Sequence, residues 1–151
     1  MFSVDKNPYR LAAFGGLLIS LLPAVIINLI AYYFPSTRPE ELSAVSEFLS
    51  EGLGFIQLLF FAIIVFIIPP IEEFIFRGVL WKVSEWVFSP KWTWILISLA
   101  FAAVHMEPLH ILGLLPFSFF VGWLRLKTNR LGPSVVAHTV NNAMGCLLMI
   151  L

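Results

Sequence analysis

Apolar residues run through this chain in long blocks, and the polar positions gather between the blocks instead of alternating within them. From Leu11 to Phe34 the short polar side chains are those of Ser20 and Asn28 alone. A helix needs roughly 20 apolar residues to cross a bilayer, so this block predicts a first membrane helix. Lys6 and Arg10 precede it as they would a secretory signal, but the block is longer than a signal core and no small-residue cleavage site follows. The stretch PSTRPEELSAVSEFLSEG comes next, the one extended polar segment. Leu42, Val45 and Leu49 recur in it at helical spacing on one face, which predicts a short amphipathic interfacial helix.

Gly52 to Ile68 is a second apolar block. It ends at Pro69 and Pro70, where a missing amide and ring clashes are expected to stop one helix and let another begin. Ile71 to Phe88 follows directly, and blocks Trp92 to Met106, Leu109 to Leu124 and Pro133 to Leu151 complete the chain. A tight Glu107-Pro108 turn and the loop RLKTNRLG separate these last three. The blocks are too long for strands and lack their alternation. The pattern therefore predicts an all-α, polytopic membrane helix bundle of about six helices with a short amphipathic interfacial helix. Residues 1–151 read as a single integral membrane domain, with a motif-bearing core at 69–151.

Composition agrees with that solvent. The chain is 60% hydrophobic and 12% charged, against about 25% charged in soluble domains, and its mean hydropathy is +0.94. Zero net charge argues against nucleic acid as a partner. The one cysteine, Cys146, has no intramolecular disulfide partner and lies outside any prenylation box. Trp81, Trp86, Trp92, Trp94 and Trp123, with Tyr32 and Tyr33, fall near predicted helix ends and read as lipid-interface anchors. If Ile71 to Phe88 does not cross, Lys6, Arg10, Lys82, Lys91, Arg125, Lys127 and Arg130 all share the cytoplasmic side, as the positive-inside rule prefers. If it crosses, the two N-terminal charges part from the rest, but the start of that helix comes to the side on which the next one ends. Crossing is favoured, and orientation is left open.

Ionisable groups in the middle of a membrane helix cost ~3 kcal/mol or more to insert, so each needs a partner or a wet cavity. In PPIEEFIFRG, Glu73 and Arg77 are four apart with the acid N-terminal, the favourable order for an ion pair. Glu72, about 100° round the helix, is left without an intrahelical cation. A carboxylate so placed suits a general base; the plainer reading is that both acids cap the first turn at an interface. In FAAVH, His105 lies about 20 Å along a helix begun at Trp92, and taken singly it reads as a hydrogen-bonded core histidine before it reads as a catalyst. His110, beyond Pro108, reads as structural. In HTVNN, His138 and Asn142 share a face while Asn141 projects elsewhere, so an imidazole and an amide point to one place, as a developing oxyanion requires. The plainer reading is helix-to-helix glue, with Ala137, Ala143 and Gly145 permitting close approach. Together the three clusters are expected to converge on one internal, water-reachable site.

EEFIFR resembles the EExxxR motif, FAAVH the FxxxH motif and HTVNN the HxxxN motif of the CPBP intramembrane proteases. That group contains the type II CAAX prenyl endopeptidases and the bacteriocin self-immunity proteins, and the three motifs stand here in the family's order over residues 72 to 142. The resemblance implies an intramembrane endopeptidase in which Glu72, aided by His105, activates the attacking water while His138 and Asn142 stabilise the oxyanion. Glu73 and Arg77 would hold the helix and site together. It implies the lipid bilayer and a membrane-associated peptide or protein, of CAAX type or another, as partners, and a bacterial cell membrane as the location. No cofactor is expected. Zinc on Glu72, His105 and His138 is the alternative that the family's metalloprotease label carries, against which stand the lack of an HExxH motif and an oxyanion hole that needs no Lewis acid. Two rival functions stay open: a non-catalytic membrane immunity or scaffold protein, and a proton or ion pathway.

Overall fold

The computed structural model describes residues 7–34, 47–48, 54–106 and 108–150, and every regular element among them is helical. The predicted interfacial helix lies outside the described residues apart from Glu47 and Phe48. Helix α1 spans Pro8–Tyr33. It starts where the Asn7 side chain accepts from the Tyr9 and Arg10 amides at 3.1 and 3.4 Å, with Pro8 in the first turn where its missing N–H costs nothing. Pro90 opens α3, Pro90–Ala103, in the same way. Helix α4, Pro108–Thr128, closes on Asn129 at φ 52°, a left-handed cap of the kind asparagine tolerates. Helix α5 is Gly132–Ile150.

Pro69 and Pro70 do not end a helix. Phe55–Ser84 is one continuous rod, α2, so the predicted helices Gly52–Ile68 and Ile71–Phe88 are a single element. The described bundle has five helices instead of about six. The choice between crossing and not crossing also dissolves, because residues 71–84 are the second half of that rod.

The reason is a change of winding. Ile63–Ile67 and Phe74–Leu80 are wound as π-helix, and the Ile68 amide bonds the Ile63 carbonyl five residues back. A wider turn makes room for a proline ring that would otherwise strike the carbonyl four residues before it. It leaves the Ile64 carbonyl without a helical donor, since Ile68 has turned to Ile63 and Pro69 has no N–H. Asn142 of α5 supplies one, its Nδ2 donating to that carbonyl at 3.1 Å. The second π stretch repeats the device. The Trp81 amide bonds the carbonyls of Phe76 and Gly78 and passes over that of Arg77, and Arg125 Nε of α4 donates to the Arg77 carbonyl at 3.0 Å. Each widened turn is tied to a neighbouring helix.

Helix α5 packs along α1 and against the middle of α2, and α4 packs on α1, α3 and α5. Ala12, Phe101, Phe117, Val121, Leu124 and Ala137 form the core. Gly16 lets α1 and α5 approach closely, since a Cβ there would stand 2.6 Å from the Ala137 carbonyl oxygen. Gly145, expected to serve the same end, faces open space. Trp86 and Trp92 are exposed, as a lipid anchor has to be, whereas Trp81 is buried and donates its indole N–H to Glu85 at 2.8 Å, so the anchor reading fails for Trp81.

Two helices among the described residues are long and apolar enough to cross a membrane, Phe55–Ser84 at mean hydropathy 2.3 and Ile111–Thr128 at 1.3. At ~1.5 Å per residue the first is about 45 Å long, more than a hydrocarbon core of ~30 Å. Phe66, Ile67, Ile71, Phe74 and Ile75 are exposed on it. Glu72 and Glu73 sit near its midpoint.

Candidate active site

The site is built outward from a buried ion pair. Glu73 and Arg77 are both fully buried, with Nη1 3.1 Å from Oε1, the pair that their spacing predicts. Two charges taken out of water are tolerated only when further hydrogen bonds hold them. Arg77 Nη2 donates to the Ser118 hydroxyl at 2.8 Å and to the Ser118 carbonyl at 3.2 Å, and the guanidinium lies 4.2 Å over the Phe101 ring. Glu73 Oε2 and Arg77 Nε are buried without a hydrogen-bond partner among the described residues.

His138 reaches this pair from α5. Its Nδ1 is 2.9 Å from Glu73 Oε1, an oxygen that already accepts from Arg77 and is therefore read as carboxylate. Nδ1 is then the donor. In the neutral ring that leaves Nε2 as a lone pair, and Nε2 stands 3.5 Å from Glu72 Oε2. Two acceptors do not face each other at that distance without a proton or a bridging water between them. The ring is held edge-on by Phe117 and Phe101, with centroids 5.1 and 5.6 Å away. Of this cluster Glu72 alone is substantially open, its side chain 29% exposed against 4% for His138.

His105 lies just past the end of α3, beside Met106 at φ 57°, not within the helix as its predicted depth required. A carbonyl only accepts, so the 3.0 Å contact between His105 Nδ1 and the Phe101 carbonyl fixes the proton on Nδ1. Its ring and that of His138 both contact Phe101, at 5.3 and 5.6 Å. Asn142 directs Nδ2 at Ile64, and Asn141 Nδ2 reaches Asn142 Oδ1 at 3.4 Å. Helix-to-helix glue is thus one task of Asn142, and one Nδ2 hydrogen stays uncommitted.

Glu72, Glu73, Arg77 and His138 are brought into direct contact, His105 flanks them across Phe101, and Asn142 lies one helical turn beyond His138. Among the described residues no three His, Cys, Asp or Glu side chains gather where a metal ion would bind, so the zinc set Glu72, His105 and His138 is not assembled as three ligands. Sequence reasoning missed Ser118, Arg125 and Phe117, and it did not foresee that His138 bonds Glu73. Ser118 carried a signal, a hydroxyl inside an apolar membrane helix.

A family model, that of the type II CAAX prenyl endopeptidase Rce1-like proteins, matches residues 54–144. That interval contains every residue of the site. No curated protein and no solved structure matches the chain.

Proposed function

The chain belongs to the type II CAAX prenyl endopeptidase Rce1-like family, and from that premise we propose that it hydrolyses a peptide bond of a membrane-associated substrate, using a water molecule deprotonated by Glu72. The observation that carries this reading is the asymmetry of the two carboxylates. Glu73 is buried and saturated on Oε1 by Arg77 and His138, whereas Glu72 is partly exposed beside His138 Nε2. Glu72 is the base that water can meet.

In the proposed sequence Glu72 takes one proton from water, and the hydroxide adds to the scissile carbonyl. The oxyanion accepts from Nε2–H of a protonated His138 and from the uncommitted Nδ2 hydrogen of Asn142. The proton held by Glu72 then passes to the leaving amine as the C–N bond breaks. His105, with Nδ1 held by the Phe101 carbonyl, is assigned the task of assisting Glu72 in that first step. Glu73, itself held by Arg77, accepts from Nδ1–H and so stabilises and orients the imidazolium this requires, as a carboxylate does for a catalytic histidine elsewhere. No step is assigned to a metal, and the proposed setting is a bacterial cell membrane.

The test is cleavage of an internally quenched peptide ending in a farnesylated CAAX sequence, with the chain in liposomes and the unprenylated peptide as comparison. Glu72→Gln is expected to lower kcat by ~10²-fold or more, the range for a general base, with Tm unchanged. Full cleavage by Glu72→Gln would end the reading of Glu72 as the base, and a wild-type chain that cleaves neither peptide would favour a non-catalytic immunity or scaffold role. Stoichiometric zinc found by elemental analysis, and lost with activity on chelation, would overturn the metal-free sequence.

A further inference from the structure

We propose that Ser118 of α4 is a positioning residue for this reaction: its hydroxyl fixes the Arg77 guanidinium and, through Arg77 and Glu73, the orientation of His138. Ser118 belongs to none of the three motifs, and it is fully buried. The inference rests on the hydrolytic reading above for its kinetic consequence but not for its structural one.

A hydroxyl has one hydrogen. Ser118 Oγ donates it to the Ser98 carbonyl at 2.9 Å, which leaves only lone pairs for any other neighbour. Arg77 Nη2 donates onto them at 2.8 Å, so the backbone of α3 sets the polarity of the hydroxyl that receives the guanidinium. Because that group is a planar fork, fixing Nη2 also aims Nη1, which lies 3.1 Å from Glu73 Oε1. The same Oε1 takes Nδ1 of His138 at 2.9 Å. Without the Ser118 hydroxyl, Nη2 retains only the Ser118 carbonyl at 3.2 Å, about which the fork can pivot. Glu73 Oε1 then moves with it, and Nε2 of His138 loses its place beside Glu72.

Ser98 provides a matched comparison. It is equally buried on the same α3–α4 seam, and its Oγ donates to the Ser118 carbonyl at 3.2 Å, yet among the described residues it makes no hydrogen bond to Arg77. Removing its hydroxyl keeps the carbonyl that orients Ser118.

Two measurements on the full chain test the proposal. In the first, cleavage of the farnesylated peptide in liposomes, Ser118→Ala is expected to lower kcat roughly tenfold or more with KM within about twofold, the loss of one hydrogen bond to a charged group. Ser98→Ala is expected to stay within about twofold of wild type in kcat, and Ser118→Thr to recover most of the activity. In the second, a thermal-unfolding cycle in detergent, the Tm losses of Ser118→Ala and His138→Gln are expected to be less than additive, as members of one network are. Those of Ser98→Ala and His138→Gln are expected to add. Equal kcat losses for Ser118→Ala and Ser98→Ala, or strictly additive Tm losses for Ser118→Ala and His138→Gln, would overturn it. Should Ser118→Ala not insert, Ser118→Cys, which keeps the volume and is a poor acceptor, takes its place in both. A wild-type chain that leaves the peptide uncut removes the hydrolytic reading for that substrate, and the unfolding cycle still decides whether Ser118 holds His138.

Discussion

Glu73 places two donors on one carboxylate oxygen and none on the other, which makes it the residue on which the buried charges balance. Among the described residues, Glu73→Gln removes the only carboxylate in hydrogen-bonding contact with Arg77. A buried charge stripped of its partner costs about 3–5 kcal/mol, so Glu73→Gln is expected to depress stability steeply in a denaturant or thermal titration. Adding Arg77→Met to it is expected to return much of that loss without restoring cleavage, because an apolar replacement removes the stranded cation but not the need to orient His138. At the end of α2, burial pushes the Glu85 carboxyl up, yet the Trp81 indole N–H and the Lys82 ammonium outweigh it and hold it below its ordinary value of 4.5. Its folded value being depressed, its stabilising contribution is complete above that ordinary value and fades as pH falls through the lower one. Glu85→Gln is expected to flatten the acid limb of a Tm-against-pH curve by lowering Tm at neutral pH, with the two proteins converging as pH falls below the depressed value. The Glu73–Arg77 pair was legible because both partners ride on one helix at a spacing of four. The Glu73–His138 bond was not, because the rotation of α5 about its axis is set by what packs behind it and no periodicity within HTVNN states it.

At the level of the helix, the proline pair decided what could be read. Pro69 and Pro70 read as a break because an α-helix cannot keep their lost hydrogen bonds, and α2 continues because it unwinds to π geometry and borrows donors from α4 and α5. Those donors lie 48 and 78 residues away in the chain, beyond any local signal. The arrangement makes a testable pair. Asn142→Ala leaves the Ile64 carbonyl unpaired and is expected to cost about 1–3 kcal/mol. Pro69→Ala restores an N–H five residues beyond Ile64, so Asn142→Ala is expected to cost distinctly less in that background when unfolding is compared across the four proteins. If the Asn142 amide also serves the oxyanion, cleavage stays low in the double variant although stability recovers. Recovery of both would reduce Asn142 to a clamp.

For the whole molecule, the site depends on how closely α1 presses α5, because Ala137, against which Gly16 packs, is the neighbour of His138. The sequence presented Gly16 and Gly145 alike, as small residues in apolar helices, and only the assembled bundle separates them. A Cβ on Gly16 would meet the Ala137 carbonyl oxygen at 2.6 Å, and one on Gly145 would meet nothing within 4 Å. Backbone cannot yield as a side-chain tip does, so Gly16→Ala must push the two helices apart, at an overpacking cost of about 1–3 kcal/mol. It is expected to lower Tm and, by carrying the His138 ring away from Glu72, to lower kcat as well, although Gly16 touches no catalytic group. Gly145→Ala has only helix propensity to change and is expected to hold Tm or raise it slightly, with cleavage at the wild-type rate. Equal behaviour of the two variants in the liposome assay would mean that the α1–α5 contact does not govern the position of His138, and that α2 alone carries the geometry of the site.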